Sequence, residues 1–147
     1  MTTSIKLLTL AAALGVGLFT ATAAEKSAKV TPGGGRLLEK TEPHAEVVIG
    51  KDRSITINFY NAEMKPVAAT TQSVTVVANA KDKATIEFEK KGDSLVSKTN
   101  LPEGDGYNLV VQFKQTAEAK PQNFRFKYDT HICGGCKRAE YGCTCGH

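Results

Sequence analysis

Arg53-Ser54-Ile55-Thr56-Ile57-Asn58-Phe59-Tyr60 is the stretch on which the fold turns. Ile55, Ile57 and Phe59 alternate with Ser54, Thr56 and Asn58, which places the apolar side chains on one face of an extended strand and the polar ones on the other. Gly50-Lys51-Asp52 turns the chain before it. Asn61 to Pro66 reads as a loop after it, since a proline cannot serve a central ladder. On either side the same grammar recurs. Leu37 and Leu38 open the domain, and Ala45 to Ile49 is an apolar strand. Ser73 to Ala78 is β-branched, Thr85 to Glu89 alternates, and Ser94 to Ser97 is short. Tyr107 to Phe113 follows the turn Pro102-Glu103-Gly104-Asp105-Gly106, and Phe124, Phe126 and Tyr128 alternate in a last strand.

About eight short strands at regular spacing, with no helical period, predict an all-β antiparallel domain. The choice lies between a small barrel and an immunoglobulin-like β-sandwich, and the sandwich is the expectation. Tyr107, Phe113, Phe124 and Phe126 belong to its core by alternation. Glu87 and Glu89 share a strand face as solvated charges rather than an acid pair. His44, beside Pro43, is read as a surface residue and Met64 as packing.

The ends of the chain have their own composition. Lys6, the apolar run Leu7 to Phe19 and the small residues up to Ala24 have the pattern of a cleaved secretory signal, with the exit after Ala23. That run is shorter than the roughly 20 residues of a spanning helix, so no membrane insertion of the mature chain is expected. The expected organisation is a signal peptide over 1–23, a flexible linker over 24–35, a β-sandwich over 36–129 and a Cys/His tail over 130–147. The expected location is periplasmic or secreted. Formal net charge is +4, spread as lysines among acids, which is not the footprint of nucleic-acid binding.

All four cysteines of the chain lie in the tail. Cys133-Gly-Gly-Cys136 and Cys143-Thr-Cys145 are separated by six residues, and His131 and His147 bracket them. Soft thiolates at this spacing point to a metal site for copper(I) or zinc, with the two histidines as conditional ligands. The short loop between the pairs is expected to crowd four-sulfur coordination and to favour copper(I) on two or three thiolates. Gly134 and Gly135 are expected to supply positive-φ turns, and Lys137 and Arg138 to favour the thiolate form. Export leaves two other states open. One is a pair of disulfides, Cys133–Cys145 with Cys136–Cys143 being sterically simplest. The other is a thiol–disulfide exchange pair, although Cys133 opens no helix in a βαβ setting. No Ser-His-Asp set, phosphate loop or H-E-x-x-H pattern nominates an enzyme.

Pro32-Gly33-Gly34-Gly35-Arg36-Leu37-Leu38, Ala45-Glu46-Val47-Val48, and Phe59-Tyr60 through Lys65-Pro66-Val67 resemble the small β-domain of periplasmic adaptor proteins in heavy-metal efflux systems. Members of that group read His-Gly-Gly-x-Leu, whereas Pro32-Gly33 stands here in the place of the histidine. The long helical hairpin of an adaptor is also missing. The resemblance covers roughly the first third of the mature chain and leaves out the cysteine tail. It implies a metal-handling setting and a metal-efflux component as partner, not an activity.

Overall fold

The computed structural model describes residues 31–146. The signal-peptide reading, the greater part of the expected linker and His147 lie outside those residues. The described chain is all-β. Its strands are β1 (Arg36–Leu38), β2 (His44–Ile49), β3 (Ile55–Tyr60), β4 (Pro66–Val67), β5 (Ser73–Asn79), β6 (Lys83–Lys91), β7 (Ser94–Ser97), β8 (Asn108–Lys114) and β9 (Gln122–Lys127), and every pairing is antiparallel. A single 3₁₀ turn, Glu140–Gly142, comes last.

Hydrogen bonding runs without a break in the order β1-β2-β3-β7-β6-β5-β8-β9, with β4 beside β3. The long strand β6 makes this continuity possible. Its first part, Lys83–Glu87, pairs with β5, and its second, Phe88–Lys91, pairs with β7. β6 therefore belongs to both halves of the sheet, which curls until it is nearly closed into a barrel. The halves β2-β3-β7-β6 and β5-β8-β9 follow the order in which immunoglobulin-like domains set strands A-B-E-D against C-F-G. The sandwich and the barrel of the sequence reading thus converge on one object. At the open seam the Arg36 guanidinium lies 5.8 Å from the centre of the Phe126 ring, joining β1 to β9.

The alternation reads through to burial. Ile55, Ile57 and Phe59 are buried, as are Leu109, Val111 and Phe113 on β8, and the Phe59 and Phe113 rings meet 6.4 Å apart between the two halves. Tyr107 does more than fill space. Its hydroxyl donates to the Pro102 carbonyl at 2.9 Å, pinning the crossover loop at the start of β8. That is the tyrosine-corner bond of immunoglobulin-like sandwiches. Glu87 faces solvent and pairs with Lys98 at 3.0 Å.

Three expectations change. Pro66 does not end a loop but begins β4, a two-residue edge strand where its missing N–H costs no ladder bond. Thr31 to Gly35 is packed rather than flexible, because Thr31 is buried and Gly35 lies against β2. The tail expected over 130–147, apart from the sandwich, shares its core, since Tyr141 inserts into the core cluster.

Candidate metal centre

Among the described residues Glu46 is the one fully buried acidic side chain, held at zero exposure in β2. A carboxylate in such a place needs donors around it, and three converge. Gly35 N–H donates to Oε1 at 2.7 Å, Gly33 N–H to Oε2 at 3.2 Å, and the Tyr60 hydroxyl to Oε2 at 2.7 Å. Burial first, then the bond to Glu46, pushes the Tyr60 pKa up to about 12, so the phenol stays a donor. The clamp fixes the glycine segment as a platform. Only glycine fits at 35, because a Cβ there would fall 2.1 Å from the Val47 carbonyl oxygen. Gly33, Gly35, Glu46 and Tyr60 thus interlock.

The tail lies on this platform. Past β9, Tyr128 packs on Tyr107 at 5.3 Å and on Tyr141 at 6.1 Å. The Tyr141 hydroxyl accepts from Ile49 N–H at 3.0 Å, tying the tail to the free end of β2. Between these anchors a hairpin forms: Glu140 N–H donates to His131 O at 2.8 Å, Cys133 N–H to Arg138 O at 2.7 Å, and Ile132 bridges Ala139. Lys137 N–H donates to Cys133 O at 3.0 Å and closes the turn that carries the first cysteine pair. The left-handed residue of that turn is Lys137, with φ of 60°, not Gly134 or Gly135 as expected. Gly135 is tightly placed for another reason. A Cβ there would stand 3.1 Å from Cys145 Sγ, inside the cluster.

The 3₁₀ turn then reverses the chain and delivers the second pair. Gly142 touches the platform so closely that a Cβ would fall 2.7 Å from the Gly34 carbonyl oxygen. This tight reversal is why the six-residue loop closes without excluding any sulfur. Cys133, Cys136, Cys143 and Cys145 have all four Sγ atoms within 4.8 Å of one another. Two contacts run across the hairpin, 3.8 Å for Cys133–Cys145 and 3.6 Å for Cys136–Cys143. A covalent disulfide would bring sulfurs to about 2.05 Å, and no disulfide joins these four. Four sulfurs around zinc at about 2.3 Å stand about 3.8 Å apart, the edge of that tetrahedron. All four sulfurs stand close enough to share one ion, and the short loop holds none of them away.

Burial is graded through the set. Cys133 is buried, Cys136 and Cys143 are half-buried and Cys145 is exposed. Backbone amides point at the sulfurs, with Arg138 N–H on Cys136 and Cys145 N–H on Cys143 at 3.3 Å. The Arg138 amide lowers the Cys136 pKa. The cause is therefore the backbone and not the basic side chains of Lys137 and Arg138. The Arg138 guanidinium instead reaches the Thr31 carbonyl at 3.3 Å. The Cys145 amide lowers the Cys143 pKa, but burial and the neighbouring thiols outweigh it and push it up to about 12. Contact with Cys133 and Cys136 raises Cys145 as well. Four crowded thiols resist ionising together, and a bound cation removes that resistance.

His131 is placed elsewhere. Its Nδ1 meets Asp129 Oδ1 at 2.7 Å, and it groups with Asp129 and Asp105 on the exposed surface. The hydrogen bond to Asp129 raises the His131 pKa and lowers that of Asp129. His44 contacts the Thr41 carbonyl at 3.1 Å, away from the sulfurs. Among the described residues no helix is long and apolar enough to cross a membrane. Comparison of the chain with family models, curated proteins and solved structures returned no match.

Proposed function

We propose that this chain is an exported metal-binding protein that holds one thiophilic ion, zinc in the first place, for buffering or for hand-over to a metal-efflux component. One observation carries the reading: four sulfurs within 4.8 Å of one another, with cross-hairpin separations of 3.8 and 3.6 Å that match a thiolate tetrahedron. A sphere filled by four protein ligands leaves no open position for a substrate, which favours a binding role over an enzyme. The leader-like start of the chain and the efflux-domain resemblance support export and a metal-handling partner.

The exposure of Cys145 favours a second reading, copper(I), within the same function. Copper(I) is held well by soft thiolates, and release of the outermost sulfur would leave a three-thiolate site able to pass its ion to an incoming ligand. Anaerobic titration of the reduced full chain with zinc and with copper(I), followed by metal analysis after desalting, tests both. One tightly held ion per chain, lost in the Cys133→Ser/Cys136→Ser variant, is the expected result. A reduced chain that retains no ion overturns the proposal. N-terminal sequencing of the chain recovered from the periplasm tests export, with a start at Ala24 expected.

A further inference from the structure

Two of the contacts within the cysteine cluster run across the hairpin, Cys133 with Cys145 and Cys136 with Cys143. We propose that the cluster has a second, metal-free state in which Cys133–Cys145 and Cys136–Cys143 are disulfides, so that a peroxide-class oxidant releases the ion. This rests on the metal reading above. The two pairs stand in contact across the hairpin, at 3.8 and 3.6 Å. Each must close by under about 2 Å to reach bonding distance, a movement within the reach of side-chain rotation. The pairing of neighbours along the chain, Cys133–Cys136 with Cys143–Cys145, demands more. Joining Cys143 to Cys145 requires the chain to fold back on itself over one residue, and the Cys145 amide already occupies Cys143 Sγ at 3.3 Å. Joining Cys133 to Cys136 would draw both sulfurs off the opposite arm that they face.

The graded burial sets an order. Cys145 is exposed and Cys133 is buried behind it. The Cys145 thiolate attacks peroxide, the O–O bond breaks, and a sulfenic acid forms with loss of hydroxide. The Cys133 thiolate then attacks that sulfur, the S–O bond breaks, and a second hydroxide leaves with the disulfide formed. Two of four ligands are gone, so the ion is no longer held. A second peroxide oxidises Cys136 with Cys143 in the same way. In all, four thiolates give up four electrons, two peroxides and four protons become four waters, and one divalent ion is freed. The nested pairs keep the hairpin closed, which leaves Tyr141 seated in the core while the ion departs.

The test uses the zinc-loaded full chain and stepwise hydrogen peroxide, with released zinc read by a chromogenic chelator, thiols counted, and disulfides mapped on the unreduced peptides. Zinc release in step with thiol loss, complete by two equivalents, with Cys133–Cys145 and Cys136–Cys143 as the products and uptake restored by a thiol reductant, is the expected result. In Cys145→Ser the expected product is Cys136–Cys143 with Cys133 left as a thiol. Pairing of Cys133 with Cys136 or with Cys143, intermolecular disulfides, irreversible sulfinic acids, or zinc retained through full oxidation would overturn this proposal while leaving the metal reading intact. A reduced chain that never takes up zinc overturns both.

Discussion

Replacing Glu46 by Gln keeps the shape of the side chain and removes one of its two acceptor atoms. Oε1 serves the buried Gly35 N–H at 2.7 Å, while Oε2 serves Gly33 N–H at 3.2 Å and Tyr60 at 2.7 Å. The least costly placement of the new NH₂ is at the Oε2 position, where the Tyr60 hydroxyl can rotate to accept. The Gly33 N–H cannot rotate, but it is only part-buried and retains some access to water. Its loss therefore costs about 1 kcal/mol, and loss of charge assistance at the remaining bonds about another. With a urea dependence of roughly 1–3 kcal/mol per molar, Glu46→Gln should lower the unfolding midpoint by about 1 M. Tyr60→Phe, which removes one charge-assisted bond, should cost about 1.5–3 kcal/mol. Glu46→Ala adds a cavity and orphans buried donors, and should cost about 4 kcal/mol or more. Because Gly142 rests on the Gly34 carbonyl, part of this loss should reach the metal site and weaken zinc binding about tenfold, the equivalent of about 1.4 kcal/mol. Equilibrium urea unfolding and a chelator competition read the two effects. A Glu46→Gln midpoint within about 0.2 M of the parent would refute the clamp. A destabilised domain with unchanged zinc affinity would refute the coupling between platform and tail.

Two further outcomes are expected. Gly142→Ala places a methyl 2.7 Å from the Gly34 carbonyl oxygen, so the second cysteine pair must shift; zinc affinity in a chelator competition should fall by at least tenfold, about 1.4 kcal/mol, with far-ultraviolet circular dichroism of the β-domain unchanged. His131 should titrate above the 6.5 of an unperturbed imidazole, and Asp129→Asn should return it toward that value, as read by the ring-proton shifts in nuclear magnetic resonance. For the same pair, Asp129 is depressed and His131 raised. Any stabilisation from Asp129 is present above its unfolded pKa and lost as pH falls through the folded one. That from His131 is present below its unfolded pKa and lost as pH rises through the folded one. Both groups are exposed, so the effect on stability should be small and screened by salt.

The strands were legible because period-two alternation is a direct image of a half-buried sheet, and Ile55, Ile57 and Phe59 point inward as that image requires. Tyr107 was legible as core, but its hydroxyl bond to Pro102 depends on where a crossover loop lies, which no local pattern encodes. Pro32 to Gly35 reads as a linker by composition, yet Gly33 and Gly35 are there because Glu46, Val48 and the Val47 carbonyl leave no room for a Cβ, and Gly34 because its φ is 74°. The signal that betrays this is Glu46, a lone acid between Ala45 and Val47 in an apolar strand, which calls for donors from somewhere else in the chain. Cysteine spacing nominated the four sulfurs, but the loop length pointed away from four-fold coordination. What brings all four together is the packing of the segment from Arg138 to Gly142 on the platform, a contact between segments more than a hundred residues apart in sequence, of which Arg138 on Thr31 is one instance. The displacement of His131 was closer to hand, since Asp129 stands two residues before it and captures its ring.

The proposed function requires Cys133, Cys136, Cys143 and Cys145 to surround one ion together. X-ray absorption at the zinc edge of the reduced, zinc-loaded full chain measures that directly. A single shell of four sulfurs at about 2.3 Å, with one zinc per chain, is the expected result. A shell of two sulfurs completed by nitrogen or oxygen, or a reduced chain that carries no zinc at all, would contradict it.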